Sequence, residues 1–249
     1  MRIITNLIGD NPQWQRLFRA FEASVRENCP DAELHVIRSE RGPIRKNLPA
    51  HCSLNTQKLH VWRAAVHAYD GELVLIDADT IVLRDLTEAF ERFRFDVAYT
   101  ERPGAFRINA GVVFVQANRY SRRFFDRWVM INDALFDNQP ECLAAITEHA
   151  GLNQAALIHL LDSPTICDTL ELPCEVWNST QETWHTVCDQ TYVVHIKNKL
   201  RALALGKLEP SLVNMTPPTE ALNAGVPETQ SILPAFEAWM KYDKEEVLC

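Results

Sequence analysis

Long hydrophobic runs are missing from this 249-residue chain. No stretch approaches the ~20 apolar residues of a membrane-spanning helix, and the first 15 residues hold no apolar segment of a secretion signal. A soluble, cytoplasmic protein is therefore expected. A basic excess is missing too: 33 acidic side chains against 25 basic ones give a net charge of -8, with no run of Lys or Arg to neutralise a phosphate backbone. That excludes a general nucleic-acid binder. The seven cysteines (Cys29, Cys52, Cys142, Cys167, Cys174, Cys188 and Cys249) never form C-x-x-C. Odd in number and scattered, they read as reduced thiols rather than a disulfide framework, and Cys167, Cys174, His185 and Cys188 match no common zinc spacing. Internal repeats are absent. What is present, 47% hydrophobic and 23% charged residues, suits a packed core in one α/β domain or two small ones.

Apolar periodicity places the elements. Arg2 to Ile8 is a β-branched strand, and after the turn Gly9-Asp10-Asn11-Pro12 the positions Trp14, Leu17, Phe18, Phe21 and Val25 recur at helical spacing. A second strand is predicted over Glu33 to Ile37, a polar loop over Arg38 to Leu54, and a helix carrying Leu59, Trp62, Val66 and Tyr69. Leu73-Val74-Leu75-Ile76 is too continuously apolar to have a wet face, as in central strands covered by helices on both sides. Strands are expected over Phe95 to Tyr99 and Gly111 to Val115, with helices over Ser121 to Leu135, Glu141 to His149 and Asn153 to Leu161. Thr165 to Leu172 and Tyr192 to Ile196 are the last strand-like stretches. This alternation predicts an α/β fold with a mostly parallel central sheet, whose ligands lie beyond the carboxyl ends of the strands. The main domain is expected over 1–205. Residues 206–249, with four prolines between Leu208 and Ile232 and a short helix at Phe236, Trp239 and Met240, read as a wrapping arm.

Leu73 to Thr80 ends a buried strand in Asp77-Ala78-Asp79. Two carboxylates two residues apart point the same way, and hard oxygen ligands on one rim suit Mg²⁺ or Mn²⁺. Two active-site classes share this form. One is the haloacid-dehalogenase type of phosphatase, in which Asp77 would be the nucleophile and Asp79 the general acid. That class needs a later acidic pair for its Mg²⁺, and no D-D or G-D-x-x-x-D follows residue 80.

The other is the GT-A glycosyltransferases, and here several motifs run in order. Thr56-Gln57-Lys58-Leu59 leads through Trp62 and Tyr69 into Leu75-Ile76-Asp77-Ala78-Asp79-Thr80, followed by Ile108-Asn109-Ala110-Gly111, Leu152-Asn153-Gln154-Ala155-Ala156-Leu157, Leu172-Pro173 with Trp177-Asn178, and Val193-Val194-His195-Ile196-Lys197. Over residues 1 to 200 this order resembles the retaining family that includes glycogenin and bacterial lipopolysaccharide galactosyltransferases. The resemblance implies a GT-A, Rossmann-like fold and a hexosyltransferase. Such an enzyme moves a sugar from a nucleoside diphosphate sugar, most readily a UDP-sugar, to a hydroxyl on a glycan or glycolipid.

The same resemblance assigns roles. Asp77, Asp79 and His195 would hold Mn²⁺ or Mg²⁺. Thr5 and Asn6 begin the base-binding loop, and Lys58, Ala78, Asn109, Ala110 and Gly111 line the donor site. Lys197 and Lys199, with Arg201 beyond them, would meet the diphosphate. Asn153 and Gln154 stand where relatives carry Asp-Gln; an amide cannot ionise, so Gln154 would position the sugar while the departing phosphate accepts the acceptor's proton, with retention. Asn153 would also make a good helix N-cap. The family pattern continues H-x-x-G-x-x-K-P-W, and this chain has neither that Gly nor the Pro-Trp. That departure, with Asn153, leaves open a nucleotide-binding protein whose transferase site has decayed.

Overall fold

The computed structural model describes residues 1–104, 106–164, 167–207 and 232–243. Among them are eight strands: β1 (Arg2–Ile8), β2 (Glu33–Ser39), β3 (Gly71–Asp77), β4 (Thr80–Val82), β5 (Val97–Glu101), β6 (Ile108–Ala117), β7 (Thr169–Pro173) and β8 (Val193–His195). Six form one sheet in the order β2-β1-β3-β6-β5-β7, and β4 pairs with β8 in a separate ribbon. The sheet is mostly parallel, as expected; β6 alone is reversed, antiparallel to both β3 and β5.

Helices cover both faces. They are α1 (Pro12–Asn28), α2 (Ala50–Ala68), α3 (Glu88–Arg92), α4 (Arg119–Asp137), α5 (Gln139–His149), α6 (Leu152–Leu161), α7 (Cys174–Trp177), α8 (Asn198–Ala204) and α9 (Leu233–Met240). Successive strand residues point to opposite faces. Leu73 and Leu75 therefore pack with Trp62, Phe124, Phe125 and Trp128 from α2 and α4, while Val74 and Ile76 pack with Phe18 and Phe21 from α1 and with Trp177. Both faces of β3 are dry, which is why its sequence shows no alternation. Among the described residues no helix is long and apolar enough to cross a membrane, and none of the six described cysteines is in a disulfide.

Two local expectations need correction. Ala50 to Leu54, assigned to a loop, forms the first turns of α2, where Cys52 packs with Leu48, Cys142, Ala145, Leu152 and Ala155. No apolar stripe marks these turns because their other face looks into a cleft. Asn153 is not a helix cap: α6 starts at Leu152 with Gly151 as its N-cap, so Asn153 lies inside the first turn.

At the C-terminal side, α9 sets Ala235 and Trp239 against Trp184, Leu200 and Leu203. Tyr242 accepts a hydrogen bond from Asn28 Nδ2 at 2.7 Å, and Asp243 pairs with Arg16 at 2.5 Å. Residues 208–231 and 244–249 of the arm predicted over 206–249, and Thr165 and Ile166 of the predicted strand, lie outside the described residues.

Candidate active site

Topology brings three distant segments to one point. In the sheet Asn6 pairs with Asp77, so the carboxyl ends of β1 and β3 open side by side. Antiparallel pairing of Ile76 with Val112 places the start of β6, Asn109 to Gly111, beside the same edge. The β4–β8 ribbon then sets Thr80 opposite His195, and Ile196 N–H donates to the Asp79 carbonyl at 2.7 Å. Residues 79 and 195 are thus held together by backbone hydrogen bonds rather than by their side chains alone.

The result is a cluster of Asp77, Asp79 and His195 whose ligand atoms all lie within 4.8 Å of one another. His195 Nε2 is 3.3 Å from Asp79 Oδ1 and 3.7 Å from Asp77 Oδ2. It is buried and makes no aligned hydrogen bond. Burial, reinforced by the Lys197 charge, pushes the imidazole down to about 4, so it is neutral at physiological pH. Two carboxylates and a neutral imidazole fit a divalent cation such as Mn²⁺ or Mg²⁺.

Cationic side chains surround the carboxylates. Lys58, leaning over Trp62, donates to Asp77 Oδ1 at 2.6 Å. Arg201 pairs with Asp79 and lies 4.6 Å over the Trp14 ring. Burial alone would raise the Asp79 carboxyl, but Arg201, His195 and Lys197 outweigh it and hold it well below the usual carboxylate range. Lys197 Nζ donates to Asn109 Oδ1 at 3.2 Å, and burial pushes its ammonium down to about 8.

Two cavities meet here. The larger, of about 300 Å³, is lined by Asn6, Leu7, Ile8 and Trp14, by His51, Asn55 and Lys58, and by Asp77, Ala78, Asp79, His195, Lys197 and Arg201. The smaller, of about 80 Å³, is walled by Asn55, Lys58, Asp77, Asn109, Ala110, Gly111, Ala150, Asn153, Gln154 and Lys197. Thr5 and Lys199 line neither; Thr5 is buried within β1 and Lys199 lies on α8. Gln154 is fastened at both ends, accepting from Ala110 N–H at 3.3 Å and donating to the His149 carbonyl at 2.8 Å. Asn153 faces the small cavity, and its backbone carbonyl takes the Trp128 indole N–H at 2.8 Å.

No family model and no curated protein sequence matches the chain. Solved structures do. A glycosyltransferase involved in the glycosylation of the major capsid of PBCV-1 superposes with a TM-score of 0.57 at 13% identity, over 83% of this chain and 99% of that one. This chain has the GT-A glycosyltransferase fold. The glycosyltransferase GlyE of Streptococcus pneumoniae TIGR4 gives a TM-score of 0.55 at 12% identity, over 99% of this chain and 62% of GlyE. The chain therefore spans less than two thirds of GlyE.

Asn198, three residues after His195, adopts a φ of 43°, the left-handed region that Gly favours and Asn tolerates. Arg201, three residues further on, reaches the cleft. His51 and Asn55 were not foreseen as site residues. Their signal was present: His51, Asn55 and Lys58, at i, i+4 and i+7, form one polar stripe on α2. Trp14, an apolar position at helical spacing, is half-buried against the core and also lines the cleft.

Proposed function

We propose that this protein transfers a hexose-type sugar from a nucleoside diphosphate sugar, a UDP-sugar in the first instance, to a hydroxyl of a glycan or glycolipid. The observation that carries this is the Asp77, Asp79 and His195 cluster at the junction of a long cleft and a small polar pocket on a GT-A fold. Asp77, Asp79 and His195 would hold Mn²⁺ or Mg²⁺, which when bound neutralises charge growing on the departing diphosphate. Lys197 and Arg201 line the same wall and would add positive charge there. Asn6 and the end of β1 stand beside Asp77 on the rim of the cleft, where the base would lie.

The small pocket would take the transferred sugar. Its amides, Asn55, Asn109, Asn153 and Gln154, donate and accept hydrogen bonds but cannot become covalent carboxylate nucleophiles. Asp77, the pocket's one carboxylate, is engaged by Lys58. A front-face route follows. The acceptor oxygen bonds to the anomeric carbon as the bond to the phosphate oxygen breaks, and the acceptor's proton passes to that leaving oxygen. The product keeps the donor's anomeric configuration.

A nucleotide-sugar panel tests the proposal, with thermal stabilisation read alongside the anomeric configuration of the product by NMR. Stabilisation with a retained product is expected. An inverted product would remove the front-face route, and stabilisation without turnover would favour a binding protein with a decayed site.

A further inference from the structure

Beneath the Asp77, Asp79 and His195 cluster lies a chain of buried hydrogen bonds whose directions can be assigned one by one. Asn178, fully buried at the end of α7, sets its side-chain amide between His195 and the start of β6. The Asn109 carbonyl oxygen can only accept. It takes the Thr100 hydroxyl proton at 2.8 Å and lies 3.4 Å from Asn178 Nδ2. With its proton spent on that carbonyl, Thr100 Oγ1 accepts from Asn178 Nδ2 at 3.0 Å. The nitrogen side of the amide is therefore fixed. Its oxygen, which also only accepts, faces His195 Nδ1 at 3.2 Å. The ring proton must then sit on Nδ1, which leaves a lone pair on the buried, unpartnered Nε2 beside the two carboxylates.

We infer that Asn178 is the positioning residue of this centre: it locks His195 in the Nδ1–H tautomer so that Nε2, rather than an N–H, meets the cation held with Asp77 and Asp79. The opposite tautomer would be attracted to Asp79 and would close the ligand position, so something must hold the proton on the far nitrogen. Groups that orient a metal-bound histidine commonly bond its other ring nitrogen in this way. Asn178 is itself anchored by its neighbour, since Trp177 stacks on Tyr192 with ring centroids 3.9 Å apart. The ligand half of the inference rests on the metal reading of the site; the tautomer does not.

The test measures both halves separately. ¹⁵N-histidine NMR of the protein without added metal, with the His195 signal assigned through His195→Gln, should show a neutral ring protonated at Nδ1. Mn²⁺ alone, followed by EPR of the free ion, should bind the wild type. Asn178→Leu should move the proton to Nε2 and weaken Mn²⁺ binding about 10- to 100-fold. Asn178→Asp keeps an acceptor for Nδ1–H, and the Thr100 hydroxyl can turn its proton to the second oxygen, so tautomer and affinity should return. An Nε2–H or doubly protonated ring in the wild type, or an Asn178→Leu variant unchanged in both readouts, would overturn the inference while leaving Mn²⁺ binding intact. A wild type that binds no Mn²⁺ yet shows Nδ1–H would overturn the ligand half together with the metal reading.

Discussion

Gly111 and His195 fit together only because Gly111 has no side chain. A Cβ at residue 111 would lie 2.2 Å from His195 Cε1 and 2.5 Å from Nδ1, closer than real Cβ contacts come. Gly111 is inside β6, not in a turn, so its role here is space rather than backbone freedom. Gly111→Ala should therefore push the imidazole off the two carboxylates and weaken Mn²⁺ binding, with the sheet still formed. EPR titration of Mn²⁺ and far-UV circular dichroism on the same sample check this. Undiminished affinity would show that His195 tolerates displacement.

Asn153 and Gln154 should separate by readout. Gln154→Ala leaves the Ala110 N–H and the His149 carbonyl without their partner, so a stability loss of about 1–3 kcal/mol is expected along with lower turnover. Asn153→Ala removes a side chain that faces the pocket, and should lower turnover with little change in the melting temperature. Urea denaturation beside steady-state kinetics distinguishes the two. Unchanged turnover in Gln154→Ala would sink its role in holding the sugar.

Lys197 sets an alkaline limit. Burial lowers its ammonium to about 8 from the ordinary 10.5. Between these values the unfolded chain binds more protons than the folded one, so stability rises with pH there, and the cost of burying the charge is fully present below about 8. On the proposed function donor binding would have the opposite sign, because a diphosphate would need the charged form. KM for the donor should rise as pH passes about 8, and Lys197→Arg, which stays charged, should flatten that rise. A KM profile of identical shape in the two proteins would contradict this.

Arg102 and Glu182 form a buried ion pair, with side chains 7% and 12% exposed. Burial alone would raise the Glu182 carboxyl, but the Arg102 charge and the Thr180 hydroxyl outweigh it and hold it below the ordinary range. Its folded value is lower than its unfolded one. The stability it contributes is thus present above the unfolded carboxylate range and is lost as pH falls through the folded value. Arg102→Met should cost about 3–5 kcal/mol near neutral pH by stranding the carboxylate, and Glu182→Gln should flatten the acid limb of the Tm–pH curve. Thermal melts across the acid range check both.

Much of the frame was legible in the chain itself. Leu73 to Ile76 announced a strand dry on both faces, and the packing of Leu75 and Ile76 onto opposite layers bears that out. The D-x-D at its end and the distant His195 both stand out in the sequence, and they converge in the fold. Less visible was the agent of convergence. Tyr192 to Ile196, which contains β8, reads as a strand, but its partner β4 has only three residues, too few for a periodic signal. The first turns of α2 were lost for a related reason: a helix that offers His51 and Asn55 to a cleft spends its face on polar residues and looks like a loop. Gly111 and Asn178 fall inside motifs, but their part in seating His195 is not readable there, since an absent methyl and an amide acquire that meaning only when an imidazole lies against them.

The central claim, metal-dependent sugar transfer at Asp77, Asp79 and His195, is tested most directly by the release of free nucleotide from UDP-sugars with and without Mn²⁺, in the wild type and in Asp79→Ala. The expected result is release that requires the ion in the wild type and disappears in the folded variant. Release that is unaffected by removing the ion, or by removing Asp79, would contradict the account.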